Sequence, residues 1–517
     1  MSNVRTLPVQ AKSVLLNPSA EELRELIAKM PNARLSEFGN YNVETKVVAR
    51  SKVSTYVVTD SPENHSDQTI SRAEYEKWAA IQDAYIKDQE MVVIEGYIGS
   101  DPDFRVPARL IIESANANVA AMQKELYFPL EPGDEDSFEP KVQVIYTPNL
   151  KAEGLLNDRL IAVDLENGIS RVFNSDYFGE SKKGGLRKWN KLVYDRGGLA
   201  LHAGCKIIPT DQGKRTALII GLSGTGKTTT TFTQQNGSQP VQDDFVALMP
   251  GGKVYSTENG CFAKTFGLDP RFEPTIHAAV TQPDAYLENI SMDENGKVDF
   301  FDTSYTANGR AVFGMRQVPG SADAREIEKA DFLLILSRSE TLMPAVARIS
   351  GPQAAAYFML GETKGTSAGG AEEAGKSLRV PGTNPFFPLL HASQGNRFFE
   401  LLKTCNIEVY LMNTGRVGGG EDVEGSKKVK IPHSSAVVKA IAEGTIEWEK
   451  DEDFGYEVAK NLPDFPEEDL DLLQPKKLYQ ALGREDEYQA LVEKLVAERR
   501  EYLQAWPGLV PEVVGSI

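Results

Sequence analysis

Cysteine is scarce in this sequence: Cys205, Cys261 and Cys405 are the only three among 517 residues, and no two form a Cys-x-x-Cys pair. Widely spaced thiols of this kind are typical of a reducing compartment. Long apolar runs are lacking as well. The start of the chain, MSNVRTLPVQAKSVLLNPSAEE, contains none, so we expect no signal peptide. No stretch approaches the roughly 18 consecutive apolar residues of a membrane span. The sequence therefore predicts a cytoplasmic protein with no membrane partner.

Basic residues are fewer than acidic ones. The 56 lysines and arginines are outnumbered by 74 aspartates and glutamates, which gives a formal net charge of −18. This balance argues against broad electrostatic binding to nucleic acid or anionic membranes, so no nucleic-acid partner is predicted. An anionic substrate would have to be attracted by a local cluster of basic side chains.

The length of the chain predicts two domains, because 517 residues are too many for one ordinary hydrophobic core. Ser19 and Glu22 form the pattern of a helix-capping box, which predicts a short helix after them. The run KVVARSKVSTYVVTD predicts a strand interrupted by a turn, and MVVIEGYIG, ARLIIESA and KVQVIYTP predict further strands. Together with the helix-like segment SRAEYEKWAAIQDAYIKD, these runs indicate a mixed α/β (α+β) domain that ends near residue 200.

The stretch GLSGTGKTTTT, beginning at Gly221, has the spacing of a phosphate-binding loop. An apolar run precedes it and a helix-compatible run follows it, as a strand, loop and helix require. Its glycines let backbone N–H groups surround phosphate oxygens, Lys227 would neutralise the β and γ phosphates, and Thr228 would offer its hydroxyl to Mg²⁺. The alternative is an ordinary glycine-rich turn, which the flanking elements disfavour.

Candidate metal ligands flank the loop. Asp243 and Asp244 follow Lys227 by 16 and 17 residues, although a pair of aspartates is often only a turn. His202, Lys182 and Lys183 precede the loop. A lone histidine on an apolar strand is often a core residue, and adjacent lysines are often a solvated pair. Their place just before a phosphate loop, in a strongly acidic chain, favours a functional cluster.

Two later segments differ in composition from the rest of the chain. The polar, glycine-rich segment 361–386 is too long for a simple turn, and it is equally typical of a mobile lid and of a surface loop. The tail QPKKLYQALGREDEYQALVEKLVAERREYLQAW has helical spacing and many charge pairs four residues apart, which predicts a helical C-terminal tail.

These motifs resemble those of ATP-dependent phosphoenolpyruvate carboxykinases. The segments YFGESKKG, LALHAG, GLSGTGKTTT, DD, ENGCFAKT, FEPTI and ANGR occur in that family's order and approximate spacing. ARSKVSTYVV resembles its N-terminal Arg-Ser segment, and LMNTGRVGGG and KKVKIPHSSAVVKAI resemble its nucleotide-base segment, so the resemblance runs from about residue 45 to about residue 445. The phosphate loop lacks the cysteine of the GTP-dependent family, which favours ATP.

The resemblance implies a fold and a reaction. It implies an N-terminal substrate-binding domain over residues 1–200, a C-terminal P-loop mononucleotide-binding domain over 201–517, and an active site in the cleft between them. It implies a carboxy-lyase that converts oxaloacetate and ATP to phosphoenolpyruvate, CO₂ and ADP, reversibly, in gluconeogenesis or anaplerosis. It is compatible with a monomer or a small homo-oligomer.

The resemblance also assigns roles to individual residues. It implies Mn²⁺ ligands at Lys183, His202 and Asp244, and a Mg²⁺ ligand at Thr228 for the metal that accompanies ATP. It implies substrate-binding roles for Arg50, Tyr177, Lys183 and Arg310, and catalytic roles for Lys182, Lys183, Ser223, Lys227 and Arg310. The implied nucleotide-binding residues are Gly221, Leu222, Ser223, Gly224, Thr225, Gly226, Lys227, Thr228, Thr229, Lys264, Glu273, Arg310, Lys428, Val429 and Ser434.

Departures from the family pattern keep two alternatives open. The family usually has acidic and aromatic residues after its aspartate pair, where this chain has DDFVAL, and usually has arginine where Lys428 stands. One alternative is a related P-loop kinase with a different phosphate acceptor, and the other is a non-catalytic nucleotide-binding sensor. Arg50 and Arg310 argue against a protein kinase, because they suit a small dicarboxylate. The candidate ligands His202 and Asp244 of a second metal argue against a sensor, because a module that only binds a nucleotide does not need that metal.

Overall fold

The computed structural model describes residues 7–222, 224–365 and 376–517. Its strands, in chain order, are β1 (Ser13–Leu16), β2 (Ala33–Leu35), β3 (Tyr41–Val43), β4 (Thr55–Val58), β5 (Thr69–Ile70), β6 (Glu90–Ile98), β7 (Val106–Glu113), β8 (Val142–Thr147), β9 (Leu160–Asp164), β10 (Ile169–Phe173), β11 (Leu199–Leu201), β12 (Ala203–Thr210), β13 (Gly213–Ile220), β14 (Gln239–Gln242), β15 (Val246–Leu248), β16 (Val254–Ser256), β17 (Gly260–Lys264), β18 (Tyr286–Glu288), β19 (Ser291–Met292), β20 (Val298–Asp299), β21 (Arg310–Gly314), β22 (Phe332–Ser337), β23 (Val346–Ile349), β24 (Glu362–Lys364), β25 (Ser377–Arg379), β26 (Glu408–Asn413), β27 (Arg416–Val417), β28 (Lys427–Lys428), β29 (Glu447–Lys450) and β30 (Glu457–Asn461).

The helices alternate with these strands. In chain order they are α1 (Ala20–Ala28), α2 (Arg72–Ile86), α3 (Ala117–Leu126), α4 (Phe178–Asp195), α5 (Lys227–Phe232), α6 (Pro274–Val280), α7 (Gly351–Leu360), α8 (His391–Thr404), α9 (Ile431–Glu443), α10 (Pro475–Ala481), α11 (Glu485–Gln504) and α12 (Pro511–Val514). The fold is therefore mixed α/β, as the sequence predicts. In the part of the chain that is described, no helix is long and apolar enough to cross a membrane.

The chain forms two compact units. Unit 1 consists of Met1–Arg196, Ser256–Pro319 and Phe386–Leu390, and unit 2 consists of Gly197–Tyr255, Gly320–Pro385 and His391–Ile517. The first segment of unit 1 ends close to the predicted division at residue 200. The second segment belongs to unit 1 because β17, β18 and β21 form a five-stranded sheet with β2 and β3, in the order β17-β21-β18-β3-β2.

Unit 1 also contains an eight-stranded mixed sheet in the order β1-β6-β7-β8-β10-β9-β4-β5. Helices cover both of its faces. Ile145 of β8 packs in one cluster with Ile86 of α2. The neighbouring Val144 points to the opposite face, because side chains alternate along a strand, and there it lies against α4. A Cβ atom at Gly184 of α4 would come within 3.4 Å of Val144 and 3.3 Å of Ser170. Glycine at this position therefore lets α4 lie close to the sheet.

One strand prediction is only partly confirmed. Of the run KVVARSKVSTYVVTD, the second part forms β4, whereas residues 46–50 form no strand. The backbone N–H groups of Lys46 and Val47 instead donate to the carboxylate of Asp176, at 2.8 and 3.0 Å. The carbonyl of Val48 accepts from the side chain of Asn308 at 2.7 Å. These side-chain partners take the place of a strand ladder, and they fix the loop that leads to Arg50.

Unit 2 is built around a second eight-stranded sheet, in the order β14-β12-β13-β22-β26-β23-β30-β29. The central strands β13, β22 and β26 are parallel to one another. Helix α9 packs against this sheet through Val437 and Ile441, which share a buried cluster with Ile219 of β13 and Leu334 of β22. Strand β13 leads directly into the glycine-rich loop, so the central part of this sheet holds the loop at its carboxyl end.

The glycine-rich segment 361–386 and the tail also belong mainly to unit 2. Residues 366–375, the middle of the segment considered as a lid, lie outside the described residues. On either side of them, β24 and β25 pair as an antiparallel hairpin. The predicted helical tail is confirmed, because it forms α10 and α11.

Candidate active site

The glycine-rich loop has the geometry of a phosphate-binding loop. It connects β13 to α5, as predicted, and Gly224 and Gly226 have φ angles of +87° and +89°, which glycine adopts without strain. The hydroxyl of Thr225 donates to the carbonyl of Leu222 at 2.8 Å, and a Cβ atom at Gly221 would lie 2.3 Å from that hydroxyl oxygen. The chain is therefore tightly wound at Gly221 and Leu222 and at residues 224–226. The predicted catalytic residue Ser223 lies outside the described residues.

The loop lysine and His202 meet at one carboxylate within unit 2. Lys227 is the first residue of α5, and its Nζ lies 2.8 Å from Oδ1 of Asp244. The same oxygen lies 2.7 Å from Nε2 of His202. Asp244 follows β14 in the turn that leads to β15, and His202 stands between β11 and β12. The structure thus brings together three of the predicted site residues.

Two contacts fix the ring of His202. Its Nδ1 lies 3.0 Å from the carbonyl oxygen of Thr383, and its ring stacks on Phe245 with 5.0 Å between centroids. These contacts leave Nε2 directed at the carboxylate of Asp244. Thr383 has a φ of +49°, a rare conformation for a β-branched residue.

The three residues predicted to contact the nucleotide base also lie in unit 2. Lys428 is exposed at the end of β28, which pairs with β27. Val429 follows it and is buried, and its N–H donates to the carbonyl of Gly415. Ser434 is half-buried in the first turn of α9. Their neighbour Thr414 donates from its hydroxyl to the carbonyl of Thr225 at 2.6 Å, which ties this segment to the phosphate loop.

Helix α4 of unit 1 carries the two predicted site lysines on a buried surface. Lys182 and Lys183 are 3% and 8% exposed, so they are not a solvated pair. The Nζ of Lys182 lies 3.0 Å from a carboxylate oxygen of Glu258, and it stands 5.6 Å from the ring centroid of Phe262. A buried charged amine requires such a partner.

One aromatic ring in unit 1 is surrounded by three cationic side chains. The charged groups of Arg50, Lys183 and Arg187 lie 4.6, 4.6 and 5.4 Å from the ring centroid of Phe386. Burial lowers the pKa of Arg187 to about 10, and its Nη1 has no hydrogen-bond partner among residues 7–222, 224–365 and 376–517. This concentration of positive charge suits an anionic ligand.

The remaining predicted substrate residues are linked by Asn308. Its side-chain oxygen accepts from Arg310 at 2.9 Å, and its amide nitrogen lies 3.4 Å from the hydroxyl of Tyr177. Burial raises the pKa of Tyr177, so the phenol keeps its proton. In the part of the chain that is described, Nε of Arg310 is buried without a hydrogen-bond partner. Tyr177 and Arg310 therefore retain polar groups that can donate to a carboxylate.

The last two predicted residues of unit 1 are half-buried. Lys264 ends β17 and pairs in register with Arg310 of β21. Burial, and to a smaller extent the Arg310 guanidinium, lower the pKa of Lys264 to about 8. Glu273 immediately precedes α6.

Sequence reasoning missed several residues that contact the predicted ones. Glu258 and Asn308 lie within the quoted segments ENGCFAKT and ANGR, so their motifs could have indicated them. Phe386, Thr383 and Arg187 carry no signal of that kind, because their roles arise from tertiary contacts.

The donor set limits how a metal could be held. Within residues 7–222, 224–365 and 376–517, no three His, Cys, Asp or Glu side chains form a cluster suited to a metal. His202 and Asp244 supply an imidazole and a carboxylate, both good ligands for a divalent transition metal. A third protein ligand would have to be of another type, such as a neutral amine.

Known proteins are similar to this chain over most of its length. A family model described as phosphoenolpyruvate carboxykinase matches residues 12–468. The phosphoenolpyruvate carboxykinase (ATP) of Alkaliphilus oremlandii is 28% identical over 512 residues, which cover 94% of each chain. The enzyme of the same name from Aeropyrum pernix is 31% identical over 441 residues, 82% of this chain and 83% of its own. A third, phosphoenolpyruvate carboxykinase (ATP) 1 of Moorella thermoacetica, is 27% identical over 509 residues, 95% and 93% of the two chains.

Proposed function

The chain belongs to the family of ATP-dependent phosphoenolpyruvate carboxykinases, and from this premise we propose that it converts oxaloacetate and ATP to phosphoenolpyruvate, CO₂ and ADP. The observation that carries the proposal is the meeting of Lys227 and His202 at Asp244, directly beside the phosphate-binding loop. A loop lysine for the phosphates and an imidazole–carboxylate pair for a metal are what phosphoryl transfer asks of a protein. The two alternatives, a kinase with another acceptor and a nucleotide sensor, are not favoured by the relatives described above.

We propose that unit 1 binds the dicarboxylate. Oxaloacetate carries two carboxylates, which suit arginine forks, and Arg50 and Arg310 are the proposed partners. The Nε–H of Arg310 has no hydrogen-bond partner in the described part of the chain. The phenol of Tyr177, which keeps its proton because burial raises its pKa, can donate to an anion. Asn308 links Tyr177 and Arg310 and so holds both in place.

We propose that unit 2 binds MgATP. The loop from Gly221 to Gly226 offers backbone N–H groups to the phosphates, Lys227 supplies a positive charge, and Thr228 is the proposed Mg²⁺ ligand. Lys227 is paired with Asp244, so nucleotide binding would exchange one anionic partner for another. Lys428, Val429 and Ser434 are proposed to contact the adenosine, with Lys264 and Glu273 near the nucleotide.

For the divalent metal we propose Mn²⁺, with Lys183, His202 and Asp244 as its ligands. An amine, an imidazole and a carboxylate form a mixed nitrogen and oxygen donor set that suits this ion. Lys183 would bind as a neutral amine, His202 through a ring nitrogen without hydrogen, and Asp244 as a carboxylate. The bound metal would stabilise the negative charge that develops on the oxygen of the enolate when CO₂ leaves.

No side-chain base is required by this chemistry, because loss of CO₂ itself produces the enolate that accepts the phosphoryl group. The proposed role of Lys182, Lys227 and Arg310 is to neutralise the phosphoryl charge as it is transferred. Glu258 holds Lys182 at 3.0 Å and so limits where its amine can lie.

The test is an assay of purified protein with oxaloacetate, ATP, Mg²⁺ and Mn²⁺, followed for phosphoenolpyruvate and CO₂. We expect both products, and a strong preference for ATP when GTP is substituted. We expect His202→Ala and Lys183→Ala to lose activation by Mn²⁺. Formation of no phosphoenolpyruvate by the folded wild-type protein would refute the proposed reaction, and unchanged Mn²⁺ activation in both variants would refute the metal ligands.

A further inference from the structure

The helix that follows the phosphate loop is very short, which leaves its carboxyl-terminal end in need of partners. α5 has only six residues, Lys227–Phe232. The last four carbonyls of any helix have no partner within it, so in α5 most of the backbone acceptors must be satisfied from outside. Two threonine hydroxyls add hydrogen bonds to carbonyls of α5: Thr231 donates to the carbonyl of Lys227 at 2.8 Å, and Thr233 donates to that of Thr229 at 2.6 Å.

A buried lysine also contacts carbonyls at this end of α5. Lys206 of β12 is 0% exposed, and its Nζ lies 3.0 Å from the carbonyl of Thr230 and 2.5 Å from that of Thr233. Its third neighbour is the side-chain oxygen of Gln235, at 3.2 Å. Three acceptors match the three N–H donors of a lysine ammonium group. A positive charge at the carboxyl end of a helix is also favoured by the helix dipole.

Burial of the Lys206 amine costs free energy, so its hydrogen bonds to the end of α5 must compensate for that cost. Burial lowers the pKa of Lys206 to about 7, so keeping this amine out of water costs the folded protein free energy. A leucine or methionine would fill the same space without that penalty. The function assigned so far makes no use of Lys206, and its amine lies against backbone carbonyls.

Strand β12, which carries Lys206, also contacts α5 at Gly204. A Cβ atom at Gly204 would lie 2.1 Å from the hydroxyl oxygen of Thr231, so only glycine permits this approach of helix to strand. Two residues further along β12, Lys206 reaches the end of the helix. Strand β12 thus contacts both the side and the end of α5, whose first residue is Lys227.

We propose that Lys206 is a positioning residue for nucleotide binding: it anchors the carboxyl-terminal end of α5 and so fixes the orientation of Lys227, Thr228 and the glycine-rich loop. The inference rests on the proposed function, because it assigns Lys206 to the ATP site of that reaction. In this proposal Lys206 itself does not contact the nucleotide. Its removal should therefore weaken ATP binding while leaving the dicarboxylate site of unit 1 unaffected.

The experiment compares Lys206→Met with Lys214→Met. Lys214 lies on the adjacent strand β13, but it is 59% exposed and paired with Glu326, so it controls for loss of a lysine from the same sheet. The dissociation constant of ATP is measured directly, by calorimetry with Mg²⁺ and without oxaloacetate. We expect an increase of about tenfold for Lys206→Met, the loss of about one charge-assisted hydrogen bond, and less than about twofold for Lys214→Met.

Three readouts separate positioning from simple stabilisation. KM for oxaloacetate at saturating ATP should stay within twofold of wild type, and Lys206→Arg, which keeps a cation and its donors, should restore most of the ATP affinity. Amide hydrogen exchange over residues 224–233 should become faster in Lys206→Met. A folded Lys206→Met protein that binds ATP within twofold of wild type would overturn the proposal, whatever its thermal stability.

A second variant covers the case in which Lys206→Met does not fold. Gln235→Met removes one acceptor from Lys206 and leaves the lysine in place, and we expect the ATP dissociation constant to rise about threefold. An unchanged value there would overturn the inference. The proposed function fails in a different way, since a wild-type protein that binds ATP but forms no phosphoenolpyruvate would refute the reaction alone.

Discussion

Replacement of Asp244 by asparagine should change nucleotide and metal binding in opposite directions. Oδ1 of Asp244 accepts from Lys227 at 2.8 Å and lies 2.7 Å from Nε2 of His202. The carboxylate therefore competes with ATP phosphates for the loop lysine, while it also supplies a proposed ligand for Mn²⁺. The Asp244→Asn side chain would keep an oxygen at the same place but would lose the charge.

The size of the effect follows from the hydrogen bonds. A hydrogen bond to a charged group contributes about 1.5–3 kcal/mol, and the bond from the charged Lys227 should fall from the upper to the lower part of that range when its acceptor becomes a neutral amide oxygen. The asparagine should therefore release Lys227 by about 1 kcal/mol, which corresponds to roughly fivefold tighter binding of ATP in the absence of divalent metal. Loss of the carboxylate ligand should weaken Mn²⁺ binding by about tenfold or more, because an amide oxygen is a poorer ligand than a carboxylate.

Two titrations measure these changes: calorimetry of ATP in the presence of EDTA, and electron paramagnetic resonance of free Mn²⁺. Asp464→Asn is the matched control, because Asp464 is an exposed carboxylate of unit 2 that pairs with Lys439 at 2.6 Å, and neither constant should change there. Weaker metal-free ATP binding in a folded Asp244→Asn protein would refute the reasoning, since it would mean that the carboxylate orients Lys227 for the phosphates and does not compete with them.

Two further predictions concern buried charges. Arg499 is 3% exposed, and its Nη2 lies 2.7 Å from a carboxylate oxygen of Glu362. Arg499→Met should therefore lower the free energy of unfolding by about 3–5 kcal/mol in urea titrations, whereas Arg500→Met, at the exposed neighbour, should lower it by about 0.5 kcal/mol. Equal losses in the two variants would contradict a stabilising role of the buried ion pair. Burial raises the pKa of Glu288 from 4.5 to about 8, so its stabilising contribution is complete below pH 4.5 and is lost as the pH rises through 8. Glu288→Gln keeps an acceptor for the N–H of Phe178 and should make the unfolding free energy less dependent on pH over that range, and an unchanged slope would show that Glu288 does not titrate there.

The features that the sequence predicts well depend on neighbouring residues. The capping box of α1 forms as expected, with the Ser19 hydroxyl accepting from the N–H of Glu22 at 3.2 Å and the Glu22 carboxylate accepting from the N–H of Ser19 at 2.7 Å. The phosphate-binding loop is equally local, because its glycines, Lys227 and the following threonines are contiguous. Such patterns need no knowledge of the rest of the fold.

Other features depend on residues far apart in the sequence and could not be predicted. The segment 46–50 has strand-like composition, but Asp176 and Asn308 bind its backbone groups and prevent a ladder. Phe386, which lies beside Arg50 and Lys183, comes from a five-residue segment of unit 1 that follows a long stretch of unit 2. No periodicity or motif marks such a residue, because only tertiary contacts give it a role.

The parallel pairing of β3 with β18 has a consequence for synthesis of the protein. Tyr41 pairs with Tyr286, so β2 and β3 leave the ribosome long before the strands that complete their sheet. At translation rates of about 5–20 residues per second, the delay is roughly 12–50 s. The eight-stranded sheet that ends at Phe173 can assemble within that interval, whereas the nascent hairpin of β2 and β3 must remain unpaired on its open side. A nascent chain arrested at residue 200 should therefore bind holdase chaperones, and one arrested beyond residue 350 should be released from them.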